Sequence, residues 1–118
     1  MLRFIILAIL ATATAQPALA ATIRVPQDHK TMQAAIETSQ PGDTILVTPG
    51  KYQERVRLNP EIFLRSAGDD AKGTDGLKRA EATIVEGGGK EGKQPGILLA
   101  EGCALDGFTI TNVGKYDG

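Results

Sequence analysis

Arg55, Arg57 and Arg65 occupy alternate positions on two short runs, 54–58 and 61–65, in which Val56, Leu58, Ile62 and Leu64 take the opposite parity. In a strand, successive side chains point to opposite faces, so this spacing sends the apolar residues into a core and the three arginines outward. With Lys51 nearby, they would form a cationic strip. A guanidinium presents a planar fork of donors that matches a carboxylate, so the strip suits an acidic polymer such as a polyuronate. Glu54 and Glu61 lie among them, and ordinary solvated charge on an outer face is the competing reading.

Other residues with chemical potential lack the context their chemistry needs. The run 87–93, GGGKEGK, satisfies G-x-G-x-x-G and most of a P-loop pattern. Both patterns work by opening a helix whose free amides hold phosphate, and here Gln94 replaces the metal-binding hydroxyl while Pro95-Gly96 leads into another strand. Asp69, Asp70 and Asp75 do not have the spacing of an EF-hand loop, and a solvated loop is expected. His29 is the sole imidazole and Cys103 the sole thiol. A zinc site with several His or Cys ligands is therefore excluded within the chain, as is an internal disulfide. Ser39 and Ser66 have no recognisable partners for a nucleophilic triad. No catalytic residue, metal or cofactor is assigned.

The elements that would position the arginines are brief. In TILV, ERVRL and EIFLR the apolar residues recur every second position, and Pro49-Gly50 and Asn59-Pro60 break the chain between them. Downstream, ATIVEGGG, GILLAEG and CALDGFTITN repeat the pattern, with Ile84, Leu98, Cys103, Leu105, Phe108 and Ile110 expected to point inward. A first strand is expected at Ile23-Arg24-Val25. From about Thr31 to Ser39 a helix is expected, with Thr31 as its N-cap and Met32, Ala35, Ile36 and Ser39 on one face that covers the open end of the first coil. Residues 68–80 and 87–96 read as loops leaving the strand framework. Asn112 is expected to bond backbone groups in a turn. Such strands are too short for a sandwich and too closely spaced for βαβ units. The expected fold is all-β, a right-handed parallel β-helix with a short capping α-helix.

GDTILVTPGKYQERVRL, IFLRSAG, TIVEGGG and LDGFTITN together resemble the amino-terminal part of right-handed parallel β-helix proteins of the pectin-lyase-like superfamily, especially its pectin methylesterase-like branch and exported relatives. The likeness covers nearly all of the chain after Ala21. Gly42-Asp43, Pro49-Gly50-Lys51-Tyr52 and 107–112 match the family pattern. The resemblance implies recognition or modification of extracellular or cell-wall polysaccharide by esterase, lyase or hydrolase chemistry. In that branch the catalytic groups follow the strand that LDGFTITN resembles, so none maps onto this chain and any would lie beyond Gly118. The alternative is a non-catalytic periplasmic or surface β-helix, a scaffold or binding module, including a metal-handling periplasmic factor. Fold alone does not choose between them.

Residues 1–20 read as a signal peptide. Arg3 gives a positive start, residues 4–15 an apolar core, and Ala18-Leu19-Ala20 the small residues of a cleavage site. The apolar run falls short of the ~20 residues that span a bilayer, so no stable membrane insertion is expected after cleavage and the protein is expected to be secreted or periplasmic. Residues 21–118 would then be the amino-terminal part of one β-helix domain, its partners being further coils of the same protein and an acidic polysaccharide. The net charge of −1 gives no case for nucleic acid.

Overall fold

The computed structural model describes residues 19–87 and 96–111. Residues 1–18 of the segment read as a signal peptide, most of the glycine-rich segment 87–96, and Asn112 lie outside the described residues. Nine strands occur among those described, with two short helices. The strands are β1 (Thr22–Val25), β2 (Thr44–Val47), β3 (Gly50–Gln53), β4 (Val56–Arg57), β5 (Phe63–Ser66), β6 (Thr83–Glu86), β7 (Ile97–Leu98), β8 (Ala104–Asp106) and β9 (Thr109–Thr111). The helices are α1 (Met32–Thr38), between β1 and β2, and α2 (Lys78–Ala82), between β5 and β6.

All strand pairings are parallel, in a four-stranded sheet ordered β1-β2-β5-β8, a three-stranded sheet β3-β6-β9 and a two-stranded sheet β4-β7. From β2 onward the chain visits the three sheets in turn and then begins again. Each circuit therefore lays its strands beside those of the circuit before.

The register explains the core. Ile23, Ile45, Leu64 and Leu105 align across the four-stranded sheet, and so do Val25, Val47 and Ser66. Ile45, Val47, Leu64, Val56, Leu58 and Ile62 are buried, as alternation in the first runs predicts. Two parities differ from expectation. Val85 is fully buried and aligns with Tyr52, whereas Ile84 aligns with the exposed Lys51. Ile97 aligns with buried Val56, leaving Leu98 beside Arg57 and 44% exposed. Both runs are continuously apolar, so sequence alternation alone gives no way to choose the inward residue.

The same turn recurs before each of β2, β5 and β8. Gly42, Glu61 and Gly102 all have positive φ, at 94°, 59° and 69°. Gly42 N–H donates to Glu61 C=O, and Glu61 N–H donates to Glu101 C=O, so successive turns are stitched together by their backbones.

Helix α1 begins as its cap predicts, with Thr31 Oγ1 accepting from Ala34 N–H at 3.1 Å. Met32, Ala35 and Ile36 are fully buried and the helix packs on β1, β2 and β4, while Ser39 is only half-buried. Glu54, from the turn before β4, accepts from the N–H groups of Met32 and Gln33 at 3.1 and 3.0 Å and so satisfies two free donors of the first turn. Gln33 Oε1 accepts from Arg57 N–H at 2.8 Å, and Gln33 Nε2 donates to Arg57 C=O at 3.4 Å. A helix side chain thus occupies the exposed edge of β4, where another strand would otherwise pair.

Candidate functional site

The three arginines do not share a sheet. Arg57 lies on β4, beside Leu98 of β7, and Arg65 lies on β5, between Leu46 and Asp106 in the four-stranded sheet. Arg55 precedes β4. Alternation gives outward parity correctly for Arg57 and Arg65, but the Asn59-Pro60 turn carries the chain from one sheet to another, so equal parity does not mean one surface. The Arg57 guanidinium makes no ion pair among the described residues. Lys51 pairs with Glu86 at 2.9 Å on the outside of the three-stranded sheet.

Arg65 instead belongs to a charged cluster at the corner where the four-stranded sheet gives way to the three-stranded one. Its Nε lies 3.3 Å from Asp106 Oδ2, close enough for an ion pair but without hydrogen-bond alignment, and its Nη2 lies 3.6 Å from Asp70 Oδ1. Beneath it sits Arg79, 6% exposed, which sequence reading did not single out. Arg79 Nη2 donates to Asp106 Oδ1 at 2.8 Å and to Asp70 Oδ1 at 3.1 Å. Its Nε donates to Asp70 Oδ1 at 3.2 Å, and its Nη1 donates to Ser66 Oγ at 2.9 Å and to Asp106 C=O at 3.2 Å. The hydrogen bond to Asp106 raises Arg79 above its already high ordinary pKa against the opposing effect of burial, with Asp70 adding to the rise. The guanidinium stays charged, and its placement near the interior is sustained by nearly complete use of its donors.

The local chain explains how Arg79 arrives there. Segment 67–82 leaves the corner after β5 and returns through α2, so the loop expected at 68–80 ends in a helical turn carrying Arg79 inward. Gly107 faces this side chain with φ 82°, and a Cβ there would collide with Arg79 Nη1 and Ser66 Oγ. Glycine is required twice over, for the turn and for the close approach. Within the segment, Glu81 Oε1 accepts from the N–H groups of Asp75 and Gly76 at 2.6 and 3.1 Å. These backbone bonds, with Asp75 foremost, hold Glu81 below the usual carboxylate range.

Beside the cluster on the outer face stands Phe63, 40% exposed and on the same parity as Arg65, in register with Thr44 and Ala104. An exposed aromatic ring on the same sheet face as a guanidinium and a carboxylate can stack on an apolar ring face while the charged groups exchange hydrogen bonds with hydroxyls. The outward orientation of Phe63 was readable, since assigning Ile62 and Leu64 inward leaves Phe63 outward.

The remaining sequence candidates do not converge. His29 Nε2 lies 3.2 Å from Thr38 Oγ1 beside α1. Cys103 is half-buried, and its Sγ accepts from Ala100 N–H at 3.3 Å. Asp69 bonds the N–H of Ala71 within its own loop, and no group of three or more His, Cys, Asp and Glu is placed to hold a metal among the described residues. No helix among the described residues is long and apolar enough to cross a membrane. Compared with protein-family models, curated proteins and solved structures, the chain matches none of them.

Proposed function

We propose that the chain forms an exported right-handed parallel β-helix of the pectin-lyase-like kind, and that the outer face of its four-stranded sheet binds an extracellular polysaccharide. The repeated visit to three parallel sheets, with α1 packed at one end, supports the solenoid reading. The signal-peptide pattern of residues 1–20 and the Gly42-Asp43, Pro49-Gly50-Lys51-Tyr52 and Gly107-Phe108-Thr109-Ile110 motifs support export and family.

The observation that carries the binding reading is the exposed Phe63 ring on the same outer face as Arg65 and Asp106, with Asp70 next to Arg65. Arg65 shares its charge with two carboxylates, so the face offers both donors and acceptors to sugar hydroxyls, and Arg65 supplies the contact that favours a uronate. Arg57 lies on another sheet and has no part in it.

Binding to polygalacturonate and to a neutral glucan, measured at two salt concentrations, tests this reading. Phe63→Ala should weaken binding to both polymers by about tenfold, the loss of one well-placed aromatic contact. Arg65→Gln should remove the preference for the acidic polymer at low salt, while Arg57→Gln leaves it unchanged. Equal behaviour of all three variants and wild type, with folding checked by circular dichroism, would sink the assignment of this face.

A further inference from the structure

Asp43 is an acidic residue almost wholly out of solvent, 7% exposed, whose carboxylate is committed to the start of β1. Its Oδ1 accepts from Ala21 N–H at 2.9 Å and its Oδ2 accepts from Gln40 N–H at 2.9 Å. The contact follows from the register. Thr22 aligns with Thr44, which sets Ala21 opposite Asp43, and Thr44 N–H donates to Ala21 C=O at 2.9 Å. Leu19, Ala20 and Ala21 are all exposed and precede the first strand residue. Among the described residues, the first backbone nitrogen bonded by a side chain is thus also the nitrogen released if the chain is cut after Ala20.

We propose that Ala20-Ala21 is the maturation bond and that Asp43 is the seat of the amino terminus created there. The inference rests on the export reading, and adds to it the receptor for the new terminus. Hydrolysis by an export peptidase breaks the Ala20 C–N bond. Water gives its hydroxyl to the Ala20 carbonyl carbon, leaving a carboxylate on the released peptide, and the Ala21 nitrogen gains protons to become an ammonium. Before the cut Asp43 Oδ1 accepts one neutral amide donor, the Ala21 N–H. Afterwards the same oxygen faces a positive charge at the same position, and a neutral hydrogen bond becomes a charge-assisted one. Maturation therefore tightens the first strand onto β2.

Asp43 is the charged group that bonds Ala21 N–H, and the next coil brings Glu61 close through its backbone bond to Gly42. The backbone bonds from Ala21 and then Gln40 hold Asp43 below the ordinary carboxylate value. An ammonium paired to it has a pKa above its unfolded value of about 7.7–8.0. The stabilisation from the amine is complete below that unfolded value and is lost as pH rises through the higher folded one.

Protein recovered from an exporting host gives the test. Intact mass should place Ala21 first, and the rate of acylation of that terminus by an amine reagent should be followed against pH in native buffer and in urea. The native midpoint should lie above the midpoint in urea, with acylation near pH 7 slowed about threefold or more because less free amine is present. Asp43→Asn should abolish the difference. If that variant does not fold, the native and urea curves of the wild type still decide. Retention of Met1 would overturn the export reading, and processing at another bond would overturn the Ala20-Ala21 maturation bond alone. Ala21 at the terminus with coincident curves would overturn the Asp43 seat alone.

Discussion

The chain turns the corner between the four-stranded and three-stranded sheets three times, after β2, β5 and β8, and the first two turns are built in different ways. After β2 the chain turns through Thr48 and Pro49 alone and enters β3, with Tyr52 Oη donating to Thr48 C=O at 2.6 Å. After β5 the same corner is opened by segment 67–82, which returns through α2 to β6. The first corner leans on proline's fixed φ and on the hydrogen bonds of Thr48 with Tyr52, Val25 and Gln27. The second is anchored by a nearly buried arginine joined to Ser66, Asp70 and Asp106. A strand framework can therefore accept a long excursion where a polar anchor, contributed by the excursion itself, replaces the packing that a short turn supplies for nothing.

The largest effect should come from Gly107→Ala, because a methyl group there meets both the Arg79 guanidinium and Ser66 Oγ at a φ of 82°. A loss of about 3 kcal/mol or more in unfolding free energy is expected by urea titration. An equal loss in Arg79→Ala/Gly107→Ala relative to Arg79→Ala alone would show that the collision does not matter.

Arg79→Met should cost less, about 2 kcal/mol, below the usual penalty for breaking a buried pair because Asp70 and Asp106 keep 72% and 50% of their side-chain surface in water. Amide exchange should show the damage centred on segment 67–82 and β8, with β2 and β3 protected as before. Uniform loss of protection would mean that the two corners are not separable.

The smallest effect concerns Glu81, whose depressed pKa stabilises the loop it holds. A carboxylate lowered on folding contributes fully above its unfolded value of about 4.3 and loses that contribution as pH falls through the folded one. Exchange at Asp75 and Gly76 should therefore accelerate on acidification through that window, and Glu81→Gln should be fast already at pH 7. No such change at β2 or β3 is expected. Insensitivity of both amides to pH and to the substitution would remove Glu81 as the loop's internal anchor.

These contrasts also mark what could be read in advance. Strands β1, β2 and β5 and the α1 cap follow from short-range patterns: alternation around Ile45, Val47 and Leu64, Thr31 placed before Met32, and the spacing of Met32, Ala35 and Ile36. Parity failed at Ile84 and Leu98, where consecutive apolar residues carry no alternation. The grouping of Arg55, Arg57 and Arg65 failed to form one surface because a turn separates the sheets that bear Arg57 and Arg65. Arg79 was invisible for a different reason. It lies in a polar, glycine-rich segment, and its partners at 66, 70 and 106 come together only through strand register. The Phe63 face stands between these cases, its orientation legible and its charged neighbours not.

Polysaccharide is proposed to dock on the outer face of the four-stranded sheet and not on the face bearing Arg57. Titration of the isotopically labelled protein with a short oligogalacturonate, followed amide by amide in NMR spectra, tests it directly. The account predicts shifts clustered at Phe63, Arg65 and Asp106, with Arg57 and Leu98 unmoved. Shifts centred on Arg57 and Leu98, or none anywhere at saturating ligand, would contradict it.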